Sequence, residues 1–263
     1  MSARHLSPRP PASLEPGTVV PWDLMSVAAI LGGTLLLWEV GVRLTETPPY
    51  ILPAPSLVAQ TLMRMPGFYA SAALVTLGEA LGGLALGVGV GTLTAAAITF
   101  RQRLARGVLA LAILIKATPL VAIAPLLTIW LGFGAWPKII ITGLITFFPV
   151  LVNVHTGLHG ADRALLSLLH SLHASQAETF RYARWPAALP YLFAALKVTA
   201  PLSLVGAVVA EWAGASSGLG RSMWLAYTNL NLPMLFAAVF CLAAMGVALY
   251  GLVGWLERRV VFW

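Results

Sequence analysis

Residues 173–212 read HASQAETFRYARWPAALPYLFAALKVTAPLSLVGAVVAEW. The stretch opens with Glu178, Arg181 and Arg184 in close succession, meets Pro186 and Pro190, and then runs apolar with Lys197 as its one charge before Glu211. A bilayer core about 30 Å thick takes roughly 20 helical residues, because irregular backbone leaves polar groups unpaired in hydrocarbon. The stretch therefore reads as a charged segment outside the membrane that feeds directly into a span.

The rest of the chain follows the same pattern. Of its 263 residues 59% are hydrophobic and only 10% charged, and the mean hydropathy is +0.86. A soluble domain has about a quarter charged residues, so water is not the main solvent. Six stretches are long and apolar enough to cross: 25–44, 71–99, 107–132, 138–156, 188–210 and 234–256. This is an all-α, polytopic membrane protein with about six transmembrane helices. The first 24 residues are polar and proline-rich, and the run after them has no small-residue cleavage site before Glu39 and Arg43. It reads as an uncleaved anchor behind a short tail.

The formal charge of +7 is spread between apolar runs and does not form one patch, which excludes a nucleic-acid reading. Placing the N-terminus inside puts Arg4, Arg9, Arg101, Arg103, Arg106, Arg163, Arg181, Arg184, Arg258 and Arg259 in the cytoplasm. Arg43, Arg64, Lys138 and Arg221 then fall outside, and Lys116 and Lys197 lie within spans. The excess of basic residues inside predicts both termini in the cytoplasm.

Two loops carry structure of their own. In the outer loop 45–70, prolines forbid a span, and SLVAQTLMRM (56–65) predicts a short amphipathic helix at the interface. The inner loop 157–187 is the longest cytoplasmic connection. Its apolar residues recur at helical spacing, which predicts two short helices broken near His173 to Ser175. The fifth span is expected to begin near Ala187, with the prolines stiffening its junction to the loop.

Within the spans, Gly83, Gly87 and Gly91 form a small-residue stripe that lets helix backbones approach closely, either for packing alone or around a path that opens and shuts. Pro119, Pro125 and Pro149 bend the third and fourth spans. Charges in hydrocarbon each need an account. Glu39 and Arg43, four apart, fit a local ion pair. Lys197 can snorkel toward the inner face. Glu79 and Lys116 either pair with each other or, with Pro119 and Pro125, line a solute path. His155 and His159 are spaced i, i+4 but lack a completing carboxylate or thiol, so no metal site is expected. Neither a nucleophile with its base nor a phosphate-cradling G-x-x-x-x-G-K-[ST] motif is present, so no catalytic residues and no bound cofactor are expected on this chain.

The opening stretch, followed by SSGLG (216–220), resembles the cytoplasmic loop and next span of bacterial binding-protein-dependent ABC importer permeases. ILPAPSLV (51–58), PLVAIAPLLTIWLGFG (119–134) and the closing LERRVVFW (256–263) look like the branch that handles sulfonates, taurine, nitrate and vitamin precursors such as riboflavin or thiamine pyrimidines. The family signature, Glu-Ala-Ala, three residues, Gly, nine residues, Ile-x-Leu-Pro, fits with its proline at Pro186. Trp185 and Ala183 then stand at the leucine and isoleucine, His173 at the glycine, Ser167 at the glutamate, and Leu168 and Leu169 at the alanines. The front half departs from the pattern.

The resemblance implies a type I ABC importer fold: a single permease domain over 25–263 with a coupling loop at about 157–187, in the bacterial inner membrane. It implies a homodimer, a separate ABC ATPase subunit that supplies ATP hydrolysis, and an extracytoplasmic solute-binding protein. Docking onto the ATPase would fall to Ala174, Ser175, Gln176, Ala177, Glu178, Thr179, Phe180, Arg181 and Arg184, with His173, Pro186 and Pro190 as hinge residues. An ion-gradient-driven secondary transporter is the alternative; it usually shows internal repeats, and none is visible here.

Overall fold

A computed structural model describes residues 21–262. The tail read over residues 1–24 lies, as far as residue 20, outside the described residues. Eleven α-helices in chain order make up the architecture, with no strand among the described residues. They are α1 (Pro21–Leu44), α2 (Pro55–Arg64), α3 (Pro66–Phe100), α4 (Gln102–Ala117), α5 (Leu120–Leu131), α6 (Ala135–His159), α7 (Arg163–Ser171), α8 (Gln176–Thr179), α9 (Trp185–Trp212), α10 (Leu219–Thr228) and α11 (Leu232–Val260). A π-helical turn, Phe180–Arg184, joins α8 to α9.

Helix α6 is the centre, packed most heavily on α3 and α9. Its contact with α3 rests on the glycine stripe. A β-carbon on Gly83 would overlap Thr142, one on Gly87 would overlap Thr146 and the carbonyl of Gly143, and one on Gly91 would press on Val150. Small residues on such a stripe let backbones close in where apolar burial gives no net drive. The pairs advance four residues at a time in the same direction on both helices, so α3 and α6 run parallel. Gly157 of α6 abuts Ala188 while Thr142 abuts Gly206, so α9 runs antiparallel to them. Val150, Leu151, Val154 and Leu158 fill the core between these helices with Ala95, Ile98, Ala188 and Ala195.

Parallel neighbours require the chain to return between them, and α4 with α5 does so. Five helices are each long and apolar enough to cross a membrane, and the pair Arg103–Ala117 and Leu120–Leu131 makes a sixth crossing if counted as one. The pair bends by 92° at the break, so the stretch read over 107–132 is a broken span. Pro119 causes the break. It stands at the N-cap of α5 with no N–H to continue the ladder, and the residue before a proline is steered away from helical backbone, as Thr118 shows at φ −74°, ψ 131°.

The short interfacial helix expected after the first span is α2. Glu39 ties it to α1: its carboxylate accepts from the Arg43 guanidinium (2.6 Å), the Ser56 amide (2.9 Å) and the Ser56 hydroxyl (2.7 Å). The Glu39–Arg43 pair is thus present and also clamps the start of α2. Lys197 reaches Glu257 on α11 in an ion pair.

Candidate functional site

The segment between α6 and α9 is built from local stop and start signals. Helix α7 begins with Asp162, whose carboxylate accepts from the Ala164 amide (2.9 Å), an N-cap bond. It ends in a Schellman motif: the Ala174 N–H donates to Leu169 O (2.9 Å) and the His173 N–H to His170 O (3.0 Å). His173 occupies the left-handed position at φ +56°, which normally takes glycine because a β-carbon is strained there. The turn is therefore made without the family's glycine. One residue later the chain restarts. The Ser175 hydroxyl accepts from the Glu178 amide (3.2 Å), while the Glu178 carboxylate accepts from the Ser175 amide and hydroxyl (both 2.7 Å), a capping box.

From Gln176 the helix runs without interruption to Trp212, so the expected start of the fifth span near Ala187 lies well inside a longer helix. Pro186 has no amide to offer the usual partner four residues back. Directly before it the ladder widens, and the Trp185 N–H bonds to Phe180 O, five residues back. The π turn accommodates the proline, and Pro190 lies inside α9.

Structure divides the candidate docking residues by direction. Ser175, Gln176, Ala177, Glu178 and Arg181 are exposed, while Ala174, Thr179, Phe180 and Arg184 are half-buried. Phe180 faces the bundle between Phe100 (ring centroids 5.1 Å apart) and Trp185 (6.2 Å). It anchors the turn, and Tyr182 is the exposed aromatic.

Among the intramembrane charges, the structure corrects two expectations. Glu79 pairs with Lys138, and Lys116 does not reach it; the Lys116 ammonium instead sits 4.7 Å above the Phe148 ring. Lys138, counted among the outside charges and read as the first residue of the stretch 138–156, is not exposed. It belongs to the first turns of α6 and is buried at 7% exposure against Glu79 of α3. A second buried carboxylate, Glu211, was not singled out from sequence. It is 1% exposed and accepts from the Thr76 hydroxyl (2.6 Å) and from the amides of Gly220 and Arg221 (3.1 Å) at the start of α10. Thr76 Oγ1 in turn accepts from the Leu219 amide (2.8 Å). Gly218, at φ +111°, lies so close that a β-carbon there would overlap the carboxylate. The glycines of SSGLG were the available signal, since close backbone approach is a use of glycine. Among the described residues no three His, Cys, Asp or Glu side chains gather as a metal site.

Apolar crossings, a centrally packed α6 and a loop helix continuous with a span define a multi-pass, all-helical membrane protein. The family model for the binding-protein-dependent transport system inner membrane component matches residues 87–262, and the chain belongs to that family. The riboflavin transport system permease protein RibX of Chloroflexus aurantiacus is 32% identical over 92% of this chain and 91% of its own length. The formylaminopyrimidine transport permease protein ThiX of Halalkalibacterium halodurans is 30% identical over 87% of this chain and 92% of its own. In fold, the chain is similar to a chain of the inward-facing MetNI methionine ABC transporter, with a TM-score of 0.59 at 19% identity, covering 75% of this chain and 96% of that one. The chain is accordingly an ABC permease of the inner membrane, as the resemblance implied.

Three variants test the local accounts. Lys138→Met strands a buried carboxylate and is expected to cost about 3–5 kcal/mol, whereas Glu79→Leu/Lys138→Met restores most of it; unfolding in mixed micelles measures both, and equal losses would refute the pair's role. His173→Gly relieves left-handed strain by about 1 kcal/mol. Hydrogen exchange at the Ala174 amide should slow about fivefold, and faster exchange would contradict the assignment.

Proposed function

We propose that two copies of this chain form the membrane pathway of an importer that moves a small solute inward across the cytoplasmic membrane. Both termini lie in the cytoplasm, and the chain acts as one permease domain over residues 25–263. A separate ABC ATPase docks on the loop at about 157–187, hydrolyses the ATP and drives the change between inward-facing and outward-facing forms. An extracytoplasmic solute-binding protein delivers the cargo. Relatives named for riboflavin and formylaminopyrimidine transport support a vitamin-type solute such as riboflavin or a thiamine precursor; a sulfonate, nitrate or taurine is the other solute class, and a relative named for aliphatic sulfonates supports the first of these.

The observation that carries this reading is the single helix from Gln176 to Trp212. A push on the capped turn 174–184 moves a membrane span directly, with no flexible joint to absorb it. The left-handed turn at His173 lets that helix swing relative to α7, and Pro186 with Pro190 sets its curvature. Exposed Gln176, Ala177, Glu178 and Arg181 offer contacts that fix the register of a partner.

Along the path, Lys116 has no carboxylate partner among the described residues, whereas Lys138 and Lys197 each have one. It lies in the last turn of α4, at the break made by Pro119, beside a ring midway along α6. An ionisable residue at a broken membrane helix is by default a contact for the transported species. Pro125 shapes the short helix beyond the break, and Glu79 holds the wall of the path through Lys138.

Ala177→Arg/Arg181→Glu changes two exposed side chains and leaves the capping box intact. Copurification of the ATPase is expected to fall at least about tenfold, roughly 1.4 kcal/mol; unchanged copurification and uptake would remove the loop from the docking site. For Lys116, uptake of ethanesulfonate, nitrate, taurine and riboflavin by the complete complex is compared between variants. Lys116→Met should lower anion uptake about tenfold and Lys116→Arg should preserve it, whereas equal uptake by Lys116→Met takes Lys116 out of the path.

A further inference from the structure

An open cleft of about 820 Å³ lies between the α3–α4 turn and the coupling loop. Arg101 and Arg103 line one wall; His170, Thr179 and Arg184 line the other. Among the described residues no carboxylate lines it. Among the described residues none of these three arginines forms an ion pair, although Arg43, Lys138 and Lys197 are each matched to a glutamate. Basic side chains gathered without a counter-charge leave a site for an anion.

The cleft is also amphiphilic. Phe100 lines it and, like Leu104 beside it, is about half exposed. Both stand where α3 ends and α4 begins, at the turn between two stretches long and apolar enough to cross a membrane. A free inorganic anion makes use of the arginines alone. A phospholipid makes use of both features, with its phosphate among the arginines and its acyl chains along the apolar rim. Basic pockets between membrane helices at the headgroup level are suited to such lipids.

We propose that this cleft binds the phosphodiester headgroup of an anionic phospholipid, which ties the α3–α4 turn to the coupling loop. The ligand spans the two walls: Arg101 and Arg103 hold it from the spans, and Arg184 holds it from the π turn. Occupancy stiffens the ground against which the helix from Gln176 moves. The coupling-loop wall, with Ala174, Gln176, Thr179 and Arg184, belongs to the turn proposed to dock an ATPase, whereas Arg101 and Arg103 lie outside that turn and separate the two roles.

The full chain, purified in neutral detergent, is titrated with phosphatidylglycerol and with phosphatidylcholine, and bound lipid is counted by native mass spectrometry. Phosphatidylglycerol is expected to be retained preferentially, with the preference falling about fivefold for each arginine neutralised in Arg101→Gln, Arg103→Gln and Arg184→Gln. The corresponding Arg→Lys variants should keep most of it, and they guard against a Gln variant that fails to fold. On the unmodified chain the preference should decline with salt and survive millimolar inorganic phosphate. Equal retention of the two lipids overturns the proposal, as does full displacement by free phosphate. So does loss of ATPase binding by Arg101→Gln and Arg103→Gln, which lie outside the docking turn, in phosphatidylcholine vesicles; that result would assign the cleft to an acidic surface of the partner.

Discussion

Close approach of α3 and α6 is the constraint on which the bundle rests. Between membrane helices the hydrophobic effect gives almost no drive, so association depends on contact distance and on polar groups that satisfy one another. Gly83, Gly87 and Gly91 remove the side chains that would hold the helices apart, and Thr142, Thr146 and Val150 fill the space. Because the two helices are parallel, the chain must cross back between them, and α4 and α5 make that crossing with a bend at Pro119. The broken helix is thus a product of the same geometry that centres α6.

Buried charge is handled by the same rule. Lys138 meets Glu79 across the α3–α6 contact, and Lys197 meets Glu257 across α9 and α11. Among the described residues Glu211 forms no ion pair with a cation. Its carboxylate is held by backbone amides at the start of α10, where the first N–H groups of a helix have no partner of their own and the helix dipole favours a negative charge. Thr76 closes the knot by donating to Glu211 while accepting from Leu219. A loop that would otherwise expose unpaired amides is thereby fixed to both α3 and α9.

Much of this was legible in the residues. Hydropathy found every crossing, the i, i+4 spacing found Glu39 with Arg43, and the polar break at His173 to Ser175 separated α7 from α8. Features that depend on tertiary partners were not legible. Lys138 follows GFGAWP, a turn signal, and only the depth of Glu79 on a neighbouring helix shows that it is buried. Glu211 bonds to amides nine and ten residues onward, a relation with no periodicity to reveal it. The π turn leaves one trace, Pro186, and a proline near a helix start is equally compatible with a simple first turn. For the candidate site, the sequence named the segment, and the structure sorted Phe180, packed inward, from Gln176, Ala177 and Arg181, which face out.

Helix α9 and the turn before it now have two defined ends. At one end the Ser175–Glu178 capping box fixes the start of the helix; at the other Glu211, one residue before its end, grips α10. Between them the helix is long enough to cross a bilayer with several turns to spare, at 1.5 Å per residue. The capping box keeps the near end helical, and the Glu211 bonds tie the far end to α3 and α10, so displacement applied at the near end is passed on to them. On the proposed reading, work applied at the docking turn therefore reaches α10, the element at the opposite face, through one continuous backbone. The π turn beside Pro186 is the one place along the helix where the hydrogen-bond ladder is wider, so it is where a change of twist costs least. Movement of the loop is then expressed as rotation of the span as well as translation, and the Glu211 knot passes that rotation to α3 through Thr76.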